Sequence, residues 1–365
     1  MLGLLGFLFV SSAFGAPDSN PVEVHGFGFW AYGLTDNNHY LLGDASGVYD
    51  HAALALNIAA NPHERLSVVG QIEFENGGGQ RAAELDFAFA QWAFSDAAKL
   101  RLGNIKQPFG IYNEVFEVGT LRPFLTLPQG LYGPAGFVAE AYNGVGVGGQ
   151  AFAGRWGLTY DVYGGGVALA LSTPIDMLDP TATTHAVAAL QAPNTLGARV
   201  EVNVPGDAVD FGVSTYAHPA EEQPPDQLLV FWVGAAHANV HAGRTQFTAE
   251  YAHHGAGPVT FDGAYGELAY RFTAHWQLAA RGDWHATADS DGSFSTAPSL
   301  GRHLEVAGGI NYWFTPGFVV KASVHDVRGN RFAHPLGAAQ LRNQVASGRL
   351  DTHTQLFALG TNFSF

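Results

Sequence analysis

The run Thr352-His353-Thr354-Gln355-Leu356-Phe357-Ala358-Leu359-Gly360-Thr361-Asn362-Phe363-Ser364-Phe365 ends the chain on an aromatic ring. Phe357, Leu359, Phe363 and Phe365 share one parity, while Thr354, Ala358, Gly360, Asn362 and Ser364 share the other. Successive side chains of a strand point to opposite faces, so one face of this segment suits lipid and the other suits water. A last strand of this kind is expected to close a transmembrane antiparallel β-barrel, with the rest of the chain supplying the remaining strands.

Composition agrees. The 365 residues include 46 glycines, 13% aromatic residues and only 13% charged residues, against ~25% charged in an ordinary soluble domain. No internal stretch approaches the ~18 continuous apolar residues of a spanning helix, which leaves strands as the route across a bilayer. The chain has no cysteine, so neither a disulfide framework nor a thiolate metal site is available. Residues 1–15, with an apolar block from Leu2 to Val10 and small Ala13 and Gly15, read as a secretory signal. Residues 16–365 then form a single barrel domain.

Sixteen segments have the length of a tilted strand: 22–34, 48–60, 64–76, 82–94, 98–106, 140–153, 154–164, 195–204, 207–218, 228–240, 242–254, 260–272, 274–286, 302–314, 316–328 and 352–365. Every second connection is short, as at Asn61-Pro62-His63, Ser95-Asp96-Ala97, Pro205-Gly206, Val240-His241-Ala242 and Thr315-Pro316-Gly317. The alternate connections are longer, notably 107–139, 165–194, 287–301 and 329–351. That asymmetry places the short turns and both termini in the periplasm and the long loops outside. Phe94, Trp156, Phe272, Trp276, Phe314 and Phe318 stand beside short turns, where an interfacial aromatic girdle belongs.

Alternation sends Leu66, Val68, Ile72 and Phe74 to lipid, and Ser67, Gln71, Glu73 and Glu75 to the lumen. The same parity turns Glu84, Asp86, Arg101, Arg155 and Asp161 inward, then Arg199, Arg244, Glu250, Glu267, Arg281, Asp283, Glu305 and Lys321. A barrel of this size is wide enough for an aqueous channel. Its charges are therefore expected to be solvated, some pairing across strands, as Arg155 with Asp161 or Arg281 with Asp283. With 32 acidic against 17 basic residues and a net charge of −15, such a lumen would concentrate cations.

Connection 107–139 is too apolar for an exposed loop and is expected to pack inside the lumen. The run Leu100-Arg101-Leu102-Gly103-Asn104-Ile105-Lys106-Gln107-Pro108-Phe109-Gly110, followed by Arg122-Pro123 and the Leu127-Pro128-Gln129 step, resembles the third-loop region of the phosphate-selective porin O/P-like group of sixteen-stranded outer-membrane porins. The resemblance implies an inward-folded third loop that narrows a pore. By that analogy the constriction combines Glu114, Glu117 and Arg122 from the loop with Arg101, Arg155, Glu73, Asp86 and Lys106 from the wall. It also implies a homotrimer in outer-membrane lipid; the Gly144–Gly149 and Gly164–Gly166 stretches suit either close subunit approach or bends in their strands. Phosphate selectivity in that group goes with ladders of Arg and Lys, and this chain has three lysines, Lys99, Lys106 and Lys321.

The expectation is a Gram-negative outer-membrane channel for passive diffusion of ions and small hydrophilic solutes, weakly cation-preferring or nonspecific. An anion- or phosphate-selective pore of the same fold is the alternative, and a barrel enzyme is the weaker one, since no Gly-x-Ser-x-Gly elbow appears. Of the 16 histidines, adjacent His253 and His254 point to opposite faces, and His237 and His241 lack a supporting carboxylate cluster. No metal, cofactor or nucleic-acid partner is expected.

Overall fold

Period-two alternation is realised sixteen times in the computed structural model, which describes residues 22–77, 80–171, 174, 176–178, 188–206, 208–219, 230–256, 259–289 and 297–365. The signal expected over residues 1–15 lies outside the described residues. The strands are β1 Val22–Thr35, β2 Val48–His63, β3 Leu66–Gly77, β4 Gln80–Ser95, β5 Ala98–Lys106, β6 Ala135–Ala153, β7 Trp156–Leu171 and β8 Ala188–Asn203. They continue as β9 Val209–Pro219, β10 Val230–Ala242, β11 Thr245–Ala256, β12 Val259–Arg271, β13 Trp276–Asp289, β14 Arg302–Thr315, β15 Phe318–Arg328 and β16 His353–Ser364. Each pairs antiparallel with its chain neighbours, and β16 returns to β1, so the sheet closes. Two helices sit in connections, α1 Gln129–Tyr132 and α2 Ala338–Ala346. No described helix is long and apolar enough to cross a membrane.

The seam is made by the segment that ends the chain. Phe27 faces Ser364 and Gly28 faces Phe363, and Gly26 and Phe365 exchange two backbone hydrogen bonds of 2.9 Å. On β16, Thr354, Leu356, Ala358, Gly360 and Asn362 are buried inward, while Phe357 and Phe365 are exposed on the outside. The outward Phe363 ring lies across Gly28, where an added Cβ would fall 2.5 Å from the ring and 2.8 Å from the Ala53 carbonyl oxygen. Leu356 breaks the polar rule of its face because the connection between β1 and β2 covers it, with its Cδ1 against Gly43.

Several boundaries move from their expected places. β2 continues through Pro62, where the ladder to β3 is irregular between Ala60 and His63, so the missing N–H costs no cross-strand bond. The turn falls on Glu64 and Arg65. Likewise Val240, His241 and Ala242 belong to β10, and the chain reverses at Gly243, whose φ of +61° glycine adopts freely, and Arg244. Arg244 therefore sits exposed in a turn, donating to the Phe272 carbonyl at 3.0 Å, and not in the lumen. The glycine stretch of β6 also turns out otherwise: its exposed side chains are Val145 and Val147, while Gly146 and Gly148 face the lumen. A Cβ at Gly146 would stand 2.2 Å from the Tyr142 hydroxyl, and one at Gly148 would stand 2.5 Å from an Asp161 carboxylate oxygen. These glycines make room for lumen side chains instead of an outer contact.

Filling the space above Gly28 tests the seam. Gly28→Val is expected to destabilise the closed barrel by about 1–3 kcal/mol through overpacking, read as a lower midpoint for loss of the heat-modifiable, compact band on electrophoresis.

Candidate functional site

Residues 107–134, between β5 and β6, leave the wall and cross the lumen. Gly110 starts the bend at φ +61°, and its N–H donates to Ser214 Oγ on β9 at 3.1 Å. The Ile111 N–H donates to Glu250 on β11 at 3.0 Å, and the Tyr132 and Tyr265 hydroxyls donate to the same carboxylate at 2.6 and 2.5 Å. Short 3-10 turns over Asn113–Val115 and Gly119–Leu121 then carry the loop to the opposite wall. There Lys321 Nζ on β15 donates to the carbonyls of Gly119 and Arg122 at 2.7 Å each, and to Phe124 at 3.4 Å. Arg281 on β13 donates to the Thr126 carbonyl at 2.9 Å and to its hydroxyl at 2.8 Å, while the Gly130 N–H donates to Asp283 at 3.0 Å. Asn311 on β14 takes the Pro123 carbonyl at 2.8 Å.

Two ion-pair groups stand where the loop meets the wall of β3 to β8. In the first, Lys106 Nζ lies 2.8 Å from Asp86, 2.5 Å from Glu117 and 2.8 Å from Glu140. Glu73 joins them, the four carboxylates each having an oxygen within 4.8 Å of the others. Burial pushes the Glu117 carboxyl up to about 7, with Asp86 and Glu140 acting in the same direction and Lys106 against it. In the second group, Glu114 pairs with Arg199 on β8, Arg199 with Asp161 on β7 at 2.9 Å, and Asp161 with Arg101 on β5 at 3.5 Å.

No family model and no curated protein matches the chain. Solved barrels do. The outer-membrane channel DcaP of Acinetobacter baumannii aligns with a TM-score of 0.60 at 10% identity, covering 94% of this chain and 97% of that one. An anion-selective porin of Comamonas acidovorans aligns at 0.57 and 8% identity, covering 94% and 99%. The trimer form of OmpT, an outer-membrane protein of Vibrio cholerae, aligns at 0.53 and 11% identity, also covering 94% and 99%. The barrel has the porin fold. At such identities the likeness concerns the fold alone.

Within this porin fold the residues singled out from sequence separate into three fates. Glu73, Asp86, Lys106 and Glu117 come together, and Glu114 and Arg101 meet through Arg199 and Asp161. Arg122 does not face a pore: it is buried in its own loop, donating to the Phe116 carbonyl at 2.5 Å and the Leu125 carbonyl at 3.3 Å, because an irregular loop leaves carbonyls that a guanidinium's donors can satisfy. Arg155 is exposed in the Gly154–Arg155 turn, between the end of β6 at Ala153 and the start of β7 at Trp156, and no ion pair joins it to Asp161 or the loop. Arg281 pairs with Glu267 and Glu305, at 3.1 and 3.0 Å, in place of Asp283. Glu140 was missed because β6 starts at Ala135 and its ladder to β7 is irregular between Ala135 and Tyr142, which defeats a parity count.

Lys321 ties three loop carbonyls to the wall. Lys321→Met removes the lysine donor from the Arg122 and Phe124 carbonyls, at about 1–3 kcal/mol for each unsatisfied group, while the Gly119 carbonyl keeps the Arg122 N–H. Loop 107–134 is expected to become accessible to limited proteolysis and single-channel conductance to rise, and wild-type protection with wild-type conductance would contradict the tie.

Proposed function

We propose that the chain is an outer-membrane porin of a Gram-negative bacterium: a passive channel for ions and small hydrophilic solutes that mildly prefers cations, exported by a signal over residues 1–15. The observation that carries this reading is a closed barrel, apolar outside, whose lumen is crossed by a loop edged with four carboxylates and one lysine. Glu73, Asp86, Glu117 and Glu140 against Lys106 leave a formal excess of negative charge at that edge, which raises the local concentration of cations. The acidic balance of the whole chain, −15, has the same sign. Outer-membrane lipid is the solvent of the outer wall, since Val68, Phe74, Leu102, Val162 and Phe211 are exposed there. A homotrimer is the assembly we infer, by analogy with the trimer form of the Vibrio cholerae neighbour. Transport, and not catalysis, is the activity we assign.

A second reading, anion selectivity, has its own support in Lys99, Arg101 and Arg199, which line one side of the lumen. Two of these three are already neutralised, Arg101 by Asp161 and Arg199 by Glu114 and Asp161. That weighs against an anion filter.

Reversal potentials in a KCl gradient across a planar bilayer separate the readings. Glu117 is anionic above about 7 and neutral below it, so potassium preference is expected at pH 8 and should weaken as pH falls to 6. Glu117→Gln should reduce the part of that change that falls near pH 7. Chloride preference at pH 8 would support the anion-selective reading instead.

A further inference from the structure

The lumen on the short-turn side of loop 107–134 is not uniformly polar. A chamber of about 480 Å³ opens there, within the range of ligand pockets, ~300–1,000 Å³. One side of it is hydrocarbon: Val69 from β3, Phe87 and Phe89 from β4, and Ile111 and Val115 from the loop. The two phenylalanines face inward because of one irregularity. The β3–β4 ladder pairs Gln71 with Phe87 but Ile72 with Leu85, so Asp86 is an extra residue and the parity of β4 reverses beyond it. Phe87 and Phe89 then stack in the lumen, centroids 6.1 Å apart. Gly103, across from Phe89, holds φ +137°, and a Cβ there would fall 2.4 Å from the Ala88 carbonyl oxygen and 3.1 Å from the Phe89 Cβ. A water-filled diffusion pore has no use for such a patch.

The other side of the chamber is charged, and its carboxylates are engaged, as are Arg101, Lys106 and Arg199. Glu114 holds Arg199, Glu201 stands 3.5 Å from His237, and Asp210 also has a partner. Lys99, half-buried in the lining, has no carboxylate within ion-pair distance among the described residues. Arg101, two residues along β5, is held by Asp161 at 3.5 Å and by Gln91, which accepts from its Nε at 3.0 Å. Arg101 and the residue opposite Phe89 are two positions apart, about 7 Å along the strand.

We propose that this chamber is a subsite for small amphipathic monocarboxylates, with the aryl or alkyl body on Phe87 and Phe89 and the carboxylate on Lys99. The assignment rests on the porin reading only for how the ligand arrives. A general cation-leaning pore can hold such a station, because the carboxylate edge and the chamber lie on different sides of Lys106, which contributes to both.

The test uses the full-length refolded protein in detergent, titrated with 3-phenylpropionate, propionate and phenethylamine and read by ligand-observed NMR against a protein-free micelle blank. 3-Phenylpropionate is expected to bind about tenfold more tightly than either probe that lacks its body or its carboxylate. Lys99→Gln should weaken it severalfold, and Phe89→Ser should bring it to the level of propionate. Lys99 is at the lining's edge, so its variant keeps the test decisive if Phe89→Ser does not fold. Equal binding of the three probes, or wild-type binding by Lys99→Gln, overturns the proposal. Single-channel recording of the same samples distinguishes the two readings: conductance without selective binding removes the subsite alone, and selective binding without conductance supports the subsite while removing the porin.

Discussion

A peptide segment carried into the middle of a barrel still has to satisfy its own carbonyl and N–H groups, and that requirement organises this molecule. Residues 107–134 form only short turns and one helical turn, so their backbone satisfies itself only in part. Wall side chains add to it: Lys321 takes three loop carbonyls, Arg281 and Asn311 one each, and Glu250 and Asp283 accept loop N–H groups. Charges that look like the lining of an open channel are thus the scaffold of a plug-like loop.

The commitment divides the lumen. Around β13 the charges are buried and matched, Arg281 against Glu267 and Glu305, and the Tyr112 hydroxyl donates to Glu267 at 2.5 Å. Removing one member there would strand another in a low-dielectric interior. On β3 to β8 the loop borders the carboxylate edge around Lys106, where Glu140 is the exposed member, and the chamber beneath it.

Small irregularities decide which residues reach that side. The extra residue Asp86 turns Phe87 and Phe89 inward, and the glycines at 146 and 148 clear space for Tyr142 and Asp161. A strand is a relay of parity, and one inserted residue changes the face of everything after it.

The sequence by itself determined the barrel. Period-two alternation needs no partner to be visible, so sixteen strands, the closing role of 352–365 and the inward fate of Glu73, Glu250 and Lys321 were legible from residue order. So was the inward path of a loop too apolar for water. Which charges meet was decided only by the tertiary structure. Arg122 folds back into its own loop, Arg155 slips into a turn, and Glu140 joins Lys106. Alternation reports the face of a side chain but not its depth along the barrel axis. An irregular loop has no period at all, so its hydrogen bonds depend on a wall that exists only once the sheet has closed.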